Sequence, residues 1–286
     1  MRKRSLTKLI LLPVLLALAA ALVLLALSRR EKSAEAAMPA PTQSESASAP
    51  TATPAPTPEL APEPTAEPTP EPTPDPTPEP TPDMSPLGAE FFNDAVFLGD
   101  STSHKLEVYT YGHDDIGEPD FITQSSYSVR NAVYNKGKIY FSGKTVPLGD
   151  LIEKTGATRL FILLGMNDLG ILGVDRTMEN WEIFYDMLRE MNPTIDIYIQ
   201  SLTPMYGAAQ SPTLNNAMID EYNERLRAFA EEKGCCFVEI AQVFKDEDGN
   251  LIDALTEDHY VHFNTEGCVL WAQALRDPAN YSMLKR

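Results

Sequence analysis

Cysteine is scarce in this 286-residue chain: only Cys235, Cys236 and Cys268, with no CxxC and no Cys/His spacing of a structural zinc site. A disulfide-built or zinc-built scaffold is thereby excluded. One of the adjacent pair could bridge to Cys268 and leave one thiol free, but small buried hydrophobes are the better reading. Positive charge is also in short supply. Lys and Arg number 23 against 41 Asp and Glu, a net charge of −18. From residue 88 onward the counts are 16 and 31, a net of −15. So acidic a surface is a poor match for phosphate, which excludes nucleic acid as a partner and argues against binding to anionic lipid headgroups. Proline is rare outside one stretch, for residues 39–86 hold 17 of the 24.

The amino terminus has what the rest lacks, a long apolar run. Residues 9–27 carry no charge, and Pro13 is their only helix breaker. As a helix they would span about 28 Å, the thickness of a bilayer's hydrocarbon core. Arg2, Lys3, Arg4 and Lys8 precede the run, which keeps the amino terminus in the cytoplasm. Ala34-Glu35-Ala36 offers a signal-peptide cleavage site, but the run is longer than a signal core and bases separate it from that site. An uncleaved signal anchor over residues 1–32 is favoured, with everything after it outside the cytoplasm.

Residues 33–87 then read as a disordered Thr/Pro/Glu-rich linker, in which EPTP and DPTP recur with a four-residue period from Glu67. Alternating proline removes backbone donors, and there is little apolar surface to offset the entropy of ordering. An extended spacer is expected, reaching at most about 150 Å at about 3.1 Å per residue.

Residues 88–286 form the folded domain. Short apolar runs at 95–98, 160–164, 195–202 and 236–240, with a weaker one at 121–123, read as buried parallel strands. Helical patterns cover 177–191, 214–233 and 265–276, and 138–146 reads as a hairpin around Ser142-Gly143. Strand–helix alternation predicts a three-layer α/β/α sandwich, with working groups beyond the carboxyl ends of the strands.

Three strand ends carry chemistry. Gly99-Asp100-Ser101 follows the first strand and Gly165-Met166-Asn167-Asp168 follows the 160–164 strand. The loop after the last strand holds Asp258-His259-Tyr260-Val261-His262. A hydroxyl, an amide and an imidazole on one rim are what acyl transfer needs: a nucleophile, a donor for the oxyanion and a base that returns the proton.

FLGDS, GMND and a late histidine together resemble the SGNH/GDSL family of serine hydrolases, over residue 95 to the end. The resemblance implies a flavodoxin-like five-stranded parallel sheet of order 2-1-3-4-5, and ester hydrolysis without metal or cofactor. It implies Ser101 as nucleophile, with oxyanion donors from the Asn167 amide and the Ser101 backbone N–H. Two departures stand out. The family's glycine after the second strand is absent, and Ser126 is the expected replacement. The family's acid lies three residues before its histidine, whereas Asp258 lies four before His262. His262 with Asp258 is the preferred pair, and a Ser–His dyad or a backbone carbonyl partner stays open.

Other polar groups read as structural. His104 is expected on a helix surface, His113 in an acidic loop, and Asp246–Asn250 as a turn. Tyr109, Tyr111 and Tyr206 either line a sugar site or are ordinary loop aromatics. The expected substrate is a small ester, acetyl foremost, on a cell-surface polysaccharide or peptidoglycan. An O-acyltransferase and a non-catalytic wall-binding module are the alternatives. The sequence is silent on oligomeric state.

Overall fold

The computed structural model describes residues 84–284. The expected anchor over 1–32 and most of the linker over 33–87 lie outside the described residues. Among the described residues no helix is long and apolar enough to cross a membrane.

Five strands form one parallel sheet: β1 (Ala95–Gly99), β2 (Asp120–Thr123), β5 (Arg159–Leu163), β6 (Asp196–Gln200) and β7 (Cys236–Val238). A separate antiparallel hairpin holds β3 (Lys138–Phe141) and β4 (Lys144–Pro147). The sheet order is β2-β1-β5-β6-β7. Numbered along the whole chain it departs from the expected 2-1-3-4-5, because the two hairpin strands are interposed between β2 and β5. The strands read from apolar runs are there because both faces are covered; every residue of β1 is buried. β6 and β7 stop earlier than their apolar runs. Past β6 one more bond reaches β7, Ser201 N–H to Val238 O (3.0 Å), and the next N–H turns to a side chain, Leu202 N–H to Asn223 Oδ1 (2.7 Å).

One sheet face carries a ladder of rings at paired register positions. Phe121, Phe97, Phe161 and Tyr198 stack in succession with centroids 5.2, 4.8 and 4.6 Å apart. Each such pair adds about 0.5–1.5 kcal/mol beyond its burial.

Among the described residues six α-helices accompany the strands: α1 (Ser101–Thr110), α2 (Val129–Tyr134), α3 (Leu148–Thr155), α4 (Met166–Met191), α5 (Asn216–Glu232) and, after the last strand, α6 (Thr265–Arg276). α1 packs on α6, while α4 packs on both α2 and α5. Right-handed crossovers explain this grouping. The chain steps from β1 to β2 in one direction and from β5 to β6 and β7 in the other, so α1 and the α4–α5 pair fall on opposite faces. The strand order reverses between β1 and β5, and the crevice beyond their carboxyl ends is where such sheets bind ligands. Ser101 and Asn167 stand at those two ends. α4 begins eleven residues before the expected 177 and is interrupted at Gly173 (φ 70°, ψ 178°).

Candidate active site

Ser101 is placed by the turn from β1 into α1. Gly99 permits it: a Cβ there would lie 1.9 Å from Ser103 Oγ and 3.1 Å from the Leu163 carbonyl oxygen. Asp100 caps the helix, its Oδ1 accepting from the Thr102 N–H at 2.9 Å. Ser101 is the first helical residue, so its own N–H has no partner inside the helix and faces outward at the positive end of the dipole.

Asn167 reaches this turn from β5. Its amide Nδ2 donates to Asp100 Oδ2 (2.7 Å) and, more weakly, to the Tyr127 carbonyl (3.3 Å). The bend that delivers it needs Gly165, at φ 135°, where a Cβ would sit 2.4 Å from the Tyr222 hydroxyl. That hydroxyl donates to the Leu164 carbonyl (2.7 Å) and accepts from Trp181 Nε1 (2.6 Å), which locks the strand end.

Ser126 lies in the turn after β2 with a left-handed backbone, φ 59°. It thus adopts the conformation a glycine would take there, at some steric cost. The turn is held by Asp168, which the sequence reading passed over as part of GMND. Asp168 is fully buried, and its two oxygens accept from the N–H groups of Val129 (3.0 Å) and Arg130 (2.9 Å). It thereby clips the start of α2 to the start of α4. The signal was available: an acid after Asn167 at a buried strand end needs backbone donors to satisfy it.

The third element is the loop of residues 253–264. Ser101 Oγ lies 2.9 Å from His262 Nε2, and His262 Nδ1 lies 2.6 Å from Asp258 Oδ2. Asp258 Oδ1 accepts from the N–H of Tyr260 (2.9 Å) and of His262 (3.3 Å), closing a tight acidic turn. The four-residue spacing fits because His259 takes a left-handed conformation, φ 52°, and absorbs the extra residue. Nearly buried Thr256 stands beneath the turn, its hydroxyl 3.2 Å from Asp258 Oδ1 and 3.1 Å from the His262 carbonyl. Lys105 of α1 pairs with Glu257 and ties the loop to the nucleophile's helix.

Two carboxyls are shifted in opposite directions. Burial raises Asp258, but hydrogen bonds from the His262 ring and from the backbone of His262 and Tyr260, together with the imidazole's charge, leave it below its ordinary value. Asp100 is pushed up to about 6 by burial, against the pull of Thr102, His262 and Asn167. A serine hydroxyl on an imidazole whose far nitrogen meets a carboxylate can be deprotonated as it attacks. Ser101, His262, Asp258 and Asn167 are thus brought together, and Ser126 immediately precedes Tyr127, whose carbonyl accepts from Asn167 Nδ2.

Residues 97–269 match the sequence model of the GDSL-like Lipase/Acylhydrolase family. The chain belongs to that family. This GDSL protein is accordingly an ester hydrolase. Among solved structures it is similar to a Streptococcus pneumonia protein provisionally described as a platelet activating factor. Identity is 19%, over 65% of this chain and 87% of that one, with a TM-score of 0.51. A provisionally described acylhydrolase from Bacteroides fragilis is 18% identical, over 63% and 83%, with a TM-score of 0.50. These two likenesses show a shared fold. No curated protein matches significantly.

The remaining polar groups have structural partners. His104 contacts Glu107 at 2.8 Å, and His113 contacts the Tyr109 carbonyl and stacks on its ring. The three cysteines are buried and not joined in a disulfide, and Arg189 Nη2 approaches Cys235 Sγ at 3.9 Å. Asp246 Oδ1 accepts from the N–H of Asp248 and of Asn250, so 246–250 is an Asx-type turn. Of the three tyrosines considered for a sugar site, Tyr109 is buried with its hydroxyl on Asp115, and Tyr111 lies beyond the far end of α1 from Ser101. Tyr206 alone adjoins the site, its N–H donating to the Tyr260 carbonyl at 2.8 Å.

Proposed function

We propose that this ester hydrolase removes small acyl groups, acetyl foremost, from a cell-surface polysaccharide or peptidoglycan through an acyl-Ser101 intermediate. The observation that carries the reading is the unbroken relay from Ser101 Oγ through His262 to Asp258, with contacts of 2.9 and 2.6 Å. His262 Nε2 takes the hydroxyl proton as Ser101 Oγ attacks the ester carbon. Charge that develops on the carbonyl oxygen is met by the N–H groups of Ser101 and Ser126 and by the Asn167 amide, whose weaker bond to Tyr127 is the one to exchange. The C–O bond to the alcohol then breaks, and the alcohol leaves with the proton from His262. Water repeats the sequence on the acyl-serine, releasing the acid and restoring the hydroxyl. Asp258 stabilises the imidazolium in both halves.

The small acyl group is supported by the sequence, which shows no long apolar lid segment of the kind that would cover a long chain. The location rests on the apolar run of residues 9–27 and the Pro-rich stretch after it, a membrane tether that would hold the domain among surface glycans. Hydrolysis of p-nitrophenyl acetate by the full chain and by Ser101→Ala tests the reading. Turnover and fluorophosphonate labelling should both vanish in the variant. Equal turnover in the two proteins would refute it.

A further inference from the structure

The direction of the chemistry fixes where the two halves of an ester must lie. After attack, the departing proton sits on His262 Nε2, so the alcohol oxygen has to approach that nitrogen. The oxyanion donors, Ser126 and Asn167, come from other strand ends. Groups displayed beside His262 on its own loop therefore face the alcohol half of the substrate.

His259 is the most conspicuous of these groups. It is the residue that lengthens the acid–base spacing to four, and its backbone is held at φ 52° in a region that disfavours side chains. Its ring contacts neither Ser101 nor the His262 and Asp258 side chains. It projects instead over Tyr206, ring centroids 5.1 Å apart and planes at 52°, with the His259 side chain 62% exposed. Asp253, also well exposed, lies 3.7 Å from His259 Nε2. Its charge is close enough to Tyr206 to raise the phenol above its ordinary value. Tyr260 stands half-exposed next to His259, and its carbonyl fixes Tyr206 to the loop.

We propose that Tyr206, His259 and Asp253 form a subsite for the alcohol half of the ester, and that the alcohol is a pyranose sugar. Two flat rings at an angle, His259 exposed and Tyr206 half-buried beneath it, give the apolar C–H face of a sugar something to cover. A carboxylate between them accepts hydrogen bonds from ring hydroxyls, and as an ion it does so strongly. The combination suits a hydroxylated ring better than an alkyl alcohol, which brings Asp253 no further hydroxyls to bind. The subsite rests on the esterase reading and adds to it a reason for the extra loop residue.

The test compares two esters with the full chain: p-nitrophenyl acetate, whose alcohol is a bare aromatic, and O-acetylated chito-oligosaccharide, followed by acetate release. The variants are His259→Asn, which tolerates a left-handed backbone, Tyr206→Leu and Asp253→Ala. The readout is the ratio of kcat/KM on the sugar ester to kcat/KM on p-nitrophenyl acetate. Each variant is expected to lower that ratio about tenfold, the discrimination a few lost contacts provide. An unchanged ratio in folded variants, or a parallel fall on both esters, would overturn the subsite and assign these side chains to loop support. Wild-type turnover of p-nitrophenyl acetate with none of the sugar ester would overturn it too, while leaving the esterase intact. Wild-type inactivity on both would bring down the esterase reading itself.

Discussion

Asp258→Asn separates the two jobs of one carboxylate. Oδ1 accepts from two backbone N–H groups and lies within reach of Thr256, while Oδ2 faces His262 Nδ1 at 2.6 Å. An asparagine keeps an oxygen where Oδ1 was, so the turn survives. It places an NH2 where Oδ2 was, and that group cannot accept the Nδ1–H. The imidazole must then put its proton on Nε2, the tautomer that cannot take one from Ser101. A fall in kcat of about 10³–10⁴ follows, equivalent to about 4–5.5 kcal/mol of barrier, with KM little changed. Asp258→Ala loses the turn contacts as well and should unfold more readily, by about 1–3 kcal/mol. Steady-state hydrolysis of p-nitrophenyl acetate and thermal melts measure both. An asparagine variant within tenfold of wild type would mean that His262 works without Asp258, as a dyad, and the relay argument would be wrong.

Asp100→Asn should cut activity about tenfold or more, because Thr102 N–H and Asn167 Nδ2 both need an acceptor and an amide offers one, leaving a buried donor unpaired at about 1–3 kcal/mol. The same variant should lose a pH dependence: with a folded value of about 6 against an ordinary 3.8, Asp100 favours folding in acid and forfeits that contribution as pH rises through 6, so melting curves of the two proteins should converge or cross between pH 4 and 6. Asp168→Ala strands the N–H groups of Val129 and Arg130 and should cost about 2–4 kcal/mol, with kcat reduced through the displaced Ser126; an unaltered melting temperature would contradict the clip. Tyr127→Phe removes a buried hydroxyl without a hydrogen-bond partner and should be neutral or raise stability by about 1 kcal/mol; clear destabilisation in denaturant titration would show that the hydroxyl has a partner after all.

Most of the sheet was legible in the sequence because the strands other than β2 are buried on both faces and so are written as apolar runs, whereas β2 at the edge buries only Ile122 fully and left a weaker one. α1 was not. Its residues STSHKLEVYT carry no apolar stripe, and what makes them helical is the Asp100 cap and packing on α6. The first turns of α4 were missed for a related reason: three glycines in GMNDLGILG read as loop, and only the bonds of Asn167 and Asp168 to neighbouring elements show why they fold. Ser101, Asn167 and His262 were visible as residue types at strand ends. The geometry joining Asp258 to His262 was not, because spacing along the chain cannot reveal that His259 turns left-handed. Asp168 escaped notice since its role is to satisfy backbone groups 38 and 39 residues away. The membrane expectation and, apart from residues 84–87, the linker expectation concern residues outside those described; Leu87 is buried and bonded to the Arg276 carbonyl, so the folded part takes in that residue.

The break at Gly173 divides α4 into two parts with different allegiances. The residues before it are fastened to β1, β2 and α2 through Asn167 and Asp168, while the part after it leans on α5. The break changes the direction of the helix, yet the outer part still reaches the strand end beside Asn167, because Trp181 donates to the Tyr222 hydroxyl that braces Leu164. A truncation at Trp181 should therefore be felt at the catalytic crevice as well as in the core, whereas the solvent-facing positions of the same rod are open to substitution.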